Sequence, residues 1–303
     1  MSWDRVKAMN ALRSGDLLEL GMSANQIRQH LHPAGVVTYA LGGPAPAQRE
    51  VTPAFPVAED NSISLTSVRD VEHVSVDALK ALIVAQRGQL PGVTFQHLPV
   101  SSRHRFAQDL VALGRALPAL DAAGLGSICI ELEATQPSAF SFTDLVALFR
   151  AAAECRLFVS ASLTIGSTES LESRLEVLEM LRGAQQESHA IQAVLVRVHH
   201  ADAPNARREE EATAVDYLKT LAVTRLILDN VEHLQTDWSV MGPKVLELAL
   251  RFGADDAGSV PRYQAGNAGP SHHGGESELR RIIRDAGFRP VERDALFRQS
   301  LLH

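Results

Sequence analysis

Several side chains in this chain have the type and spacing for chemistry. Glu131 and Glu133 follow the apolar run SICI and stand two apart. On a strand that spacing puts both carboxylates on one face, where a pair can hold a proton at raised pKa or bind a cation. Asp229 and Asn230 close the run TRLILDN. They can hydrogen-bond a ligand hydroxyl or base, or cap the next helix. Asp255 and Asp256 in GADDAGS offer the same two uses. The paired histidines are weaker ligand candidates. His199 and His200 are consecutive and point to opposite faces of a strand, and His272–His273 sits in the loop-like GPSHHGG. No HExxH motif accompanies them, and no GxSxG marks a nucleophilic serine. His30 and His32 flank HLHPAGVVTY and read as scaffold. The two cysteines, Cys129 and Cys155, are too few and too far apart for a zinc or iron–sulfur site, and Cys129 reads as a small core residue.

The elements that must position these residues are alternating short apolar runs and amphipathic helices. The runs are SISLTSV, GVTFQHLPV, GSICIELE, CRLFVSASLTIG, IQAVLVRVHH, TRLILDN and LRFGADDAGS, with one more near PAFPVAED. Between them lie helical stripes: Leu145, Leu148, Phe149 and Ala152; then Leu171, Leu175, Leu178 and Leu181; then Val215, Leu218 and Leu221. Such alternation predicts β/α units around a parallel sheet, with a strand count approaching a (β/α)8 barrel. The alternative, a doubly wound nucleotide-binding sheet, lacks GxGxxG and GxxxxGK[ST]. The expected organisation is a helical lead-in over 1–39, a barrel body over 40–270, and a helical tail over 271–303 packed on the barrel. Ser23 and Gln26 have the form of a capping box opening a helix, and Pro33 ends it. Residues 40–62 are rich in Gly, Pro and Ala and read as a long loop. In the tail, Leu279, Ile282 and Ile283 form an inward stripe that Gly287 terminates.

The segment DLLELGMSANQIRQHLHPAGVVTY resembles the lead-in of the radical S-adenosylmethionine enzymes of the futalosine route to menaquinone. These are the dehypoxanthine futalosine cyclase and, more distantly, aminofutalosine synthase. ATAVDYLKTLAVTRLILDNVEHLQTDWSVMGPKVLELALRFGADDAGS resembles the C-terminal half of the cyclase, LRRIIRDAGFRPVERDALFR resembles its tail, and STESLESRLEVLEMLR adds weaker similarity. The resemblance implies a radical-SAM-like barrel of the TIM type, with its site at the C-terminal ends of the strands. It also implies a C-x3-C-x2-C motif just after GVVTY, where three thiolates hold a [4Fe–4S] cluster and leave the fourth iron for S-adenosylmethionine. Here GGPAPAQREV stands in that place, and no cysteine follows Tyr39 until Cys129. Other positions depart too. Ile165 and Ser167 stand where the family has an aromatic residue and a histidine, and VPRYQAGN replaces an acidic stretch ending in asparagine.

The expected result is a barrel with no [4Fe–4S] cluster, no bound S-adenosylmethionine, no metal and no radical chemistry. Scaffold blocks kept without cluster ligands suggest a pseudoenzyme that partners a cluster-bearing radical enzyme of the same pathway, or that self-associates. The alternative is a binding protein or cluster-free enzyme for a futalosine-like nucleoside, with Glu131, Glu133, Asp229, Asn230, Asp255 and Asp256 as ligand-binding candidates. The rest of the composition narrows the field. The 303 residues carry a net charge of -7 with no basic cluster interleaved with aromatics, which gives nucleic-acid binding no support. The chain has no apolar run of the roughly 18–20 residues needed to span a bilayer and no apolar signal core, so a cytoplasmic location is expected.

Overall fold

A computed structural model describes residues 3–41, 62–64, 73–89, 95–166, 168–199, 212–260, 275–294 and 296–298. Two helices lead in: α1 (Arg5–Ser14) and α2 (Leu17–Leu31). Asp16 caps α2, its carboxylate accepting from the amides of Leu18 and Glu19 at 2.8 and 3.1 Å. Ser23 and Gln26 therefore lie inside this helix, and the expected capping box does not form. The true cap lies seven residues upstream (an Asp, which Asp16's two bonds make as good a cap as any serine).

The sheet follows. Its strands are β1 (Val36–Leu41), β2 (Ser62–Ser64), β3 (Phe95–Ser101), β4 (Leu125–Glu133), β5 (Phe158–Ile165), β6 (Ile191–Val198), β7 (His233–Gln235), β8 (Asp256–Val260) and β9 (Arg289–Arg293). They pair in the order β2-β3-β4-β5-β6-β7-β8-β1-β9, and every pairing is parallel. Between them run α3 (Val76–Gln89), α4 (Leu110–Ala123), α5 (Phe142–Glu154), α6 (Leu171–Ser188), α7 (Ala214–Ile227), the short α8 (Trp238–Met241) and α9 (Pro243–Ala249), and α10 (Glu276–Asp285). This is the (β/α)8-like, TIM-type barrel the sequence predicts. The edge of β1 that a closed eight-stranded barrel gives to β2 is taken by β9. The sheet thus reaches past both ends of the expected 40–270 span, since β1 opens at Val36 and β9 lies in the tail. Pro290 fits β9 because the strand is at the edge of the sheet, where a missing N–H breaks no ladder.

Strand alternation separates two environments. Ile128, Ile130 and Leu132 of β4, Val159, Ala161, Leu163 and Ile165 of β5, and Val194, Val196 and Val198 of β6 are buried in the hydrophobic core they share with the helices. The intervening residues face the barrel interior. The helical stripes pack as expected over α5, α6 and α10, where Leu145, Leu148, Phe149, Ala152, Leu175, Leu178, Leu181, Leu279, Ile282 and Ile283 are buried and Leu171 partly so. Val215 is the exception: it opens α7 and is exposed, while Leu218 and Leu221 are buried.

TRLILDN is not a strand. Its apolar residues are the last turns of α7, and the strand that follows is the three-residue HLQ of β7. Helix α7 is buried from Tyr217 through Ile227 apart from Lys219, because α1, α2, α6 and α9 all pack on it as well as β6. A helix covered on all sides loses the one-sided stripe that identifies helices in a sequence.

Candidate ligand-binding site in the barrel interior

The strand register builds a ring across seven strands. Reading neighbour to neighbour, it runs Ser101, Glu131, Ser162, Leu195, Gln235, Asp256, Thr38. Only Leu195 is apolar. One step toward the strand ends, Glu133, Thr164 and Arg197 align. One step the other way lie Pro99, Cys129, Ser160, Ala193 and His233, and below these His97, Ser127 and Phe158. A TIM-type barrel that only needs to fold fills its interior with branched apolar side chains. This one is mostly polar.

On the β3–β6 side the polar groups are sparsely partnered. Glu131 meets Arg197 at 3.6 Å, and Glu133 meets Arg103 at 2.5 Å. The two arginines are about half exposed or more, at 49% and 62%. Glu131 and Glu133 face the same side, as their spacing predicts. Ser162 Oγ is buried with only a weak contact with the Cys129 thiol. Beneath them His97 Nδ1 lies 2.7 Å from Ser127 Oγ. Burial pulls His97 down to about 4, with Arg197 adding to the effect, so the ring is neutral near pH 7 and can donate or accept a hydrogen bond. Cys129, expected as a small core residue, lies partly buried in the same interior wall of the barrel and is not among the buried core residues. Burial pushes its thiol up, so it stays protonated and unreactive.

The other side is knit together. Asp256 is fully buried. Its oxygens accept from Arg293 Nε at 2.5 Å and Nη2 at 2.7 Å, from Thr38 Oγ1 at 2.6 Å and from the Gly258 amide at 2.8 Å. Gly258 is held at φ +76°, a backbone state that suits glycine. Asp255, at the strand entry, accepts from Arg225 Nη2 at 2.6 Å, the Leu234 amide at 2.7 Å and His233 Nδ1 at 2.7 Å, with His32 Nε2 at 3.3 Å. Burial raises this carboxyl, but the His233 hydrogen bond and the Arg225 charge outweigh it and hold Asp255 below the usual carboxylate value. His32 does serve the scaffold, as expected, while His30 is exposed.

His32, His233 and Asp255 bring three potential metal-ligand atoms within 4.8 Å of one another. The arrangement suits protons better than a cation. His32 Nε2 also lies 2.9 Å from the Glu232 carbonyl, which positions it as a donor, and the two imidazoles stack at 23° with centroids 5.3 Å apart. Two nearly parallel rings cannot both aim a nitrogen lone pair at one ion between them. Arg225 on the same carboxylate adds a competing positive charge.

Asp229 and Asn230 do not reach the interior. With β7 starting three residues later, they form the turn at the entry end of the barrel, opposite the strand C-termini. Asp229 pairs with Arg182 at 3.1 Å, and Asn230 offers its carbonyl to Gln185 at 3.0 Å. Their expected ligand role is corrected on that ground. The cluster loop, Ser167, His200, His272–His273 and 261–267 lie outside the described residues. Among the residues that line the site, His97, Ser127, Ser160, Ser162 and Arg197 were missed by sequence reasoning. Their signal was present: SICIELE and FVSASLTI alternate apolar with polar residues at period two, and the polar set is the interior one.

The family implied by the sequence would place a [4Fe–4S] cluster near β1. The donor set does not fit it. A site-differentiated cluster needs three thiolates, whereas the chain's two sulfhydryls sit on β4 inside the barrel and at the end of α5 outside it.

Residues 199–301 match the model of the CofH/MqnC C-terminal region. Over this C-terminal third the chain is similar to that family. That match takes in both C-terminal blocks on which the resemblance rested. The cyclic dehypoxanthine futalosine synthase of Halalkalibacterium halodurans is 24% identical over 94% of this chain and 88% of its own length. The protein of the same name from Streptomyces coelicolor is 30% identical over 146 residues, which is 48% of this chain and only 37% of the relative. Among solved structures, methylornithine synthase (PylB) superposes with a TM-score of 0.62 at 12% identity, covering 96% of this chain and 94% of that one. At that identity the likeness shows the fold alone.

Proposed function

We propose that this chain holds no iron–sulfur cluster and binds a polar, futalosine-like nucleoside inside its barrel without radical chemistry. The single observation that carries this is the polar wall on β3–β6, where Glu131 and Ser162 of the ring and Arg197 one step beyond it present hydrogen-bonding groups to the interior with few internal partners. Buried polar atoms in a scaffold that has no ligand are normally satisfied, and Ser162 Oγ has only a weak contact with the Cys129 thiol. Carboxylates suit ribose hydroxyls, and Arg197 suits a ligand carboxylate or carbonyl. Neutral His97 supplies a further acceptor or donor deeper in the barrel.

Two measurements test it. Anaerobic treatment with iron and sulfide is expected to leave the protein without charge-transfer absorbance near the visible range. Thermal shift against nucleosides of the futalosine type is expected to raise Tm saturably, since a ligand at a hundred times Kd stabilises by about 2.7 kcal/mol. A reconstituted cluster, or no shift with any such nucleoside, contradicts the proposal.

A second reading, an accessory subunit of a cluster-bearing radical enzyme, is supported by one feature of the surface. Leu18 and Met22, one turn apart on α2, are 72% and 59% exposed, and Val6 on α1 is 68% exposed. Leu18→Glu with Met22→Glu would abolish co-elution with such an enzyme if that patch is the interface, and leave it intact otherwise.

A further inference from the structure

We propose that the entry end of the barrel carries a second site, for a small tetrahedral oxyanion, built on Arg28 and Arg251 around the ring of Phe288. Arg28 projects from the last turn of α2 and is 1% exposed. Its Nε donates to Asn25 Oδ1 at 2.9 Å, its Cζ lies 4.2 Å from the centre of the Phe288 ring, and its Nη1 has no partner at all. A buried guanidinium ordinarily has a carboxylate. Among the described residues none lies within ion-pair distance of Arg28. The nearest anionic influence is Asp255, whose four acceptor positions are already taken by Arg225, Leu234, His233 and His32.

Arg251, just after α9, brings a second guanidinium to within 5.9 Å of the same ring. It too has no ion pair among the described residues. Its guanidinium lies against Gly287, which has φ +87° and where a Cβ would stand 3.3 Å from Arg251 Nη2. Burial draws Arg28 below the ordinary arginine value; Asp255 opposes this, while the charges of Arg225 and Arg251 add to it. Two cations without an ion pair therefore sit at one aromatic ring, one of them with a buried donor that has no hydrogen-bond acceptor. An oxyanion supplies both the missing acceptor and the missing charge, and guanidinium forks match phosphate geometry. The site lies at the strand-entry end and shares no residue with the β3–β6 face, so it stands or falls apart from the nucleoside proposal.

The test is titration of the intact chain with inorganic phosphate at fixed ionic strength, with chloride as the control, read by calorimetry and by Tm. The expected result is a saturable heat and a Tm rise beyond the chloride control, with Kd raised at least tenfold in Arg251→Gln, an exposed change that leaves the core untouched. Arg28→Lys keeps the charge but loses the fork, and is expected to weaken phosphate several-fold. A parallel titration with a sugar phosphomonoester distinguishes free phosphate from a phosphorylated metabolite: binding at least tenfold tighter assigns the site to the ester, and equal binding to phosphate itself. No saturable phosphate response in the wild-type chain, or an unchanged Kd in Arg251→Gln, overturns the proposal.

Discussion

On the β1–β8 side of the barrel each oxygen of Asp255 and Asp256 is held by two donors, whereas Glu131 and Glu133 on β4 each have one arginine, reaching in from solvent. All four residues are carboxylates in the same barrel, and their environments give them different work. A carboxylate with every lone pair engaged by buried partners cannot take a ligand without breaking the fold. A carboxylate with one half-exposed partner can exchange it. The sequence presents Glu131–Glu133 and Asp255–Asp256 as equivalent candidates; only the partners distinguish a hinge pin from a binding group.

The largest expected effect is at the entry end. Asp255→Asn leaves the Arg225 guanidinium, 1% exposed, without its counter-charge, and removing one member of a buried pair costs about 3–5 kcal/mol. Urea unfolding should show that loss. A change below about 1 kcal/mol would erase the distinction between the two regions.

Next comes a pH effect from His97. Its value falls from 6.5 to about 4 in the folded chain. The unfolded chain therefore takes up a proton that the folded one refuses between those values. Stability from this group is complete above about pH 6.5 and declines as pH drops toward 4, by up to about 3 kcal/mol. His97→Gln should flatten that part of the stability–pH curve, while the wild-type and variant proteins converge near neutrality. Parallel curves across pH 4–6.5 would place His97 in a more open setting than the barrel interior.

Capping gives a smaller, independent check. Asp16→Ala removes the two hydrogen bonds that the carboxylate accepts from the Leu18 and Glu19 amides at the start of α2 and should cost about 1 kcal/mol. If Ser23→Ala costs as much, the helix begins where the sequence pattern put it.

Arg197→Ala should have the smallest effect on folding. The pair with Glu131 is long at 3.6 Å and half exposed, so its contribution stays under about 1 kcal/mol. The same change is expected to weaken nucleoside binding at least tenfold. Loss of stability without loss of binding would invert the comparison.

The legible part of the fold was the set of central strands. GVTFQHLPV, GSICIELE, CRLFVSASLTIG and IQAVLVRVHH are buried on their helix-facing side and stand out as apolar runs, and they became β3 to β6. What stayed hidden has physical causes. Strand β7 has three residues, two of them polar, and β9 reads RPVER, because an edge strand against β1 needs backbone pairing more than apolar side chains. TRLILDN misled because α7 is packed on nearly every side. The carboxylate candidates were visible as residue types, but Asp255 and Asp256 are locked by the buried Arg225 and Arg293, which the sequence does not mark. Arg28, Arg174, Arg225 and Arg293 are almost fully buried, and nothing in a sequence marks an arginine as interior.

The comparison rests most directly on where a ligand is felt. Calorimetric titration of a futalosine-type nucleoside into the wild-type chain, Glu131→Gln and Asp229→Ala should show saturable binding that Glu131→Gln weakens at least tenfold and Asp229→Ala leaves unchanged. Binding lost in Asp229→Ala and kept in Glu131→Gln would contradict the account and move the site to the other end of the barrel.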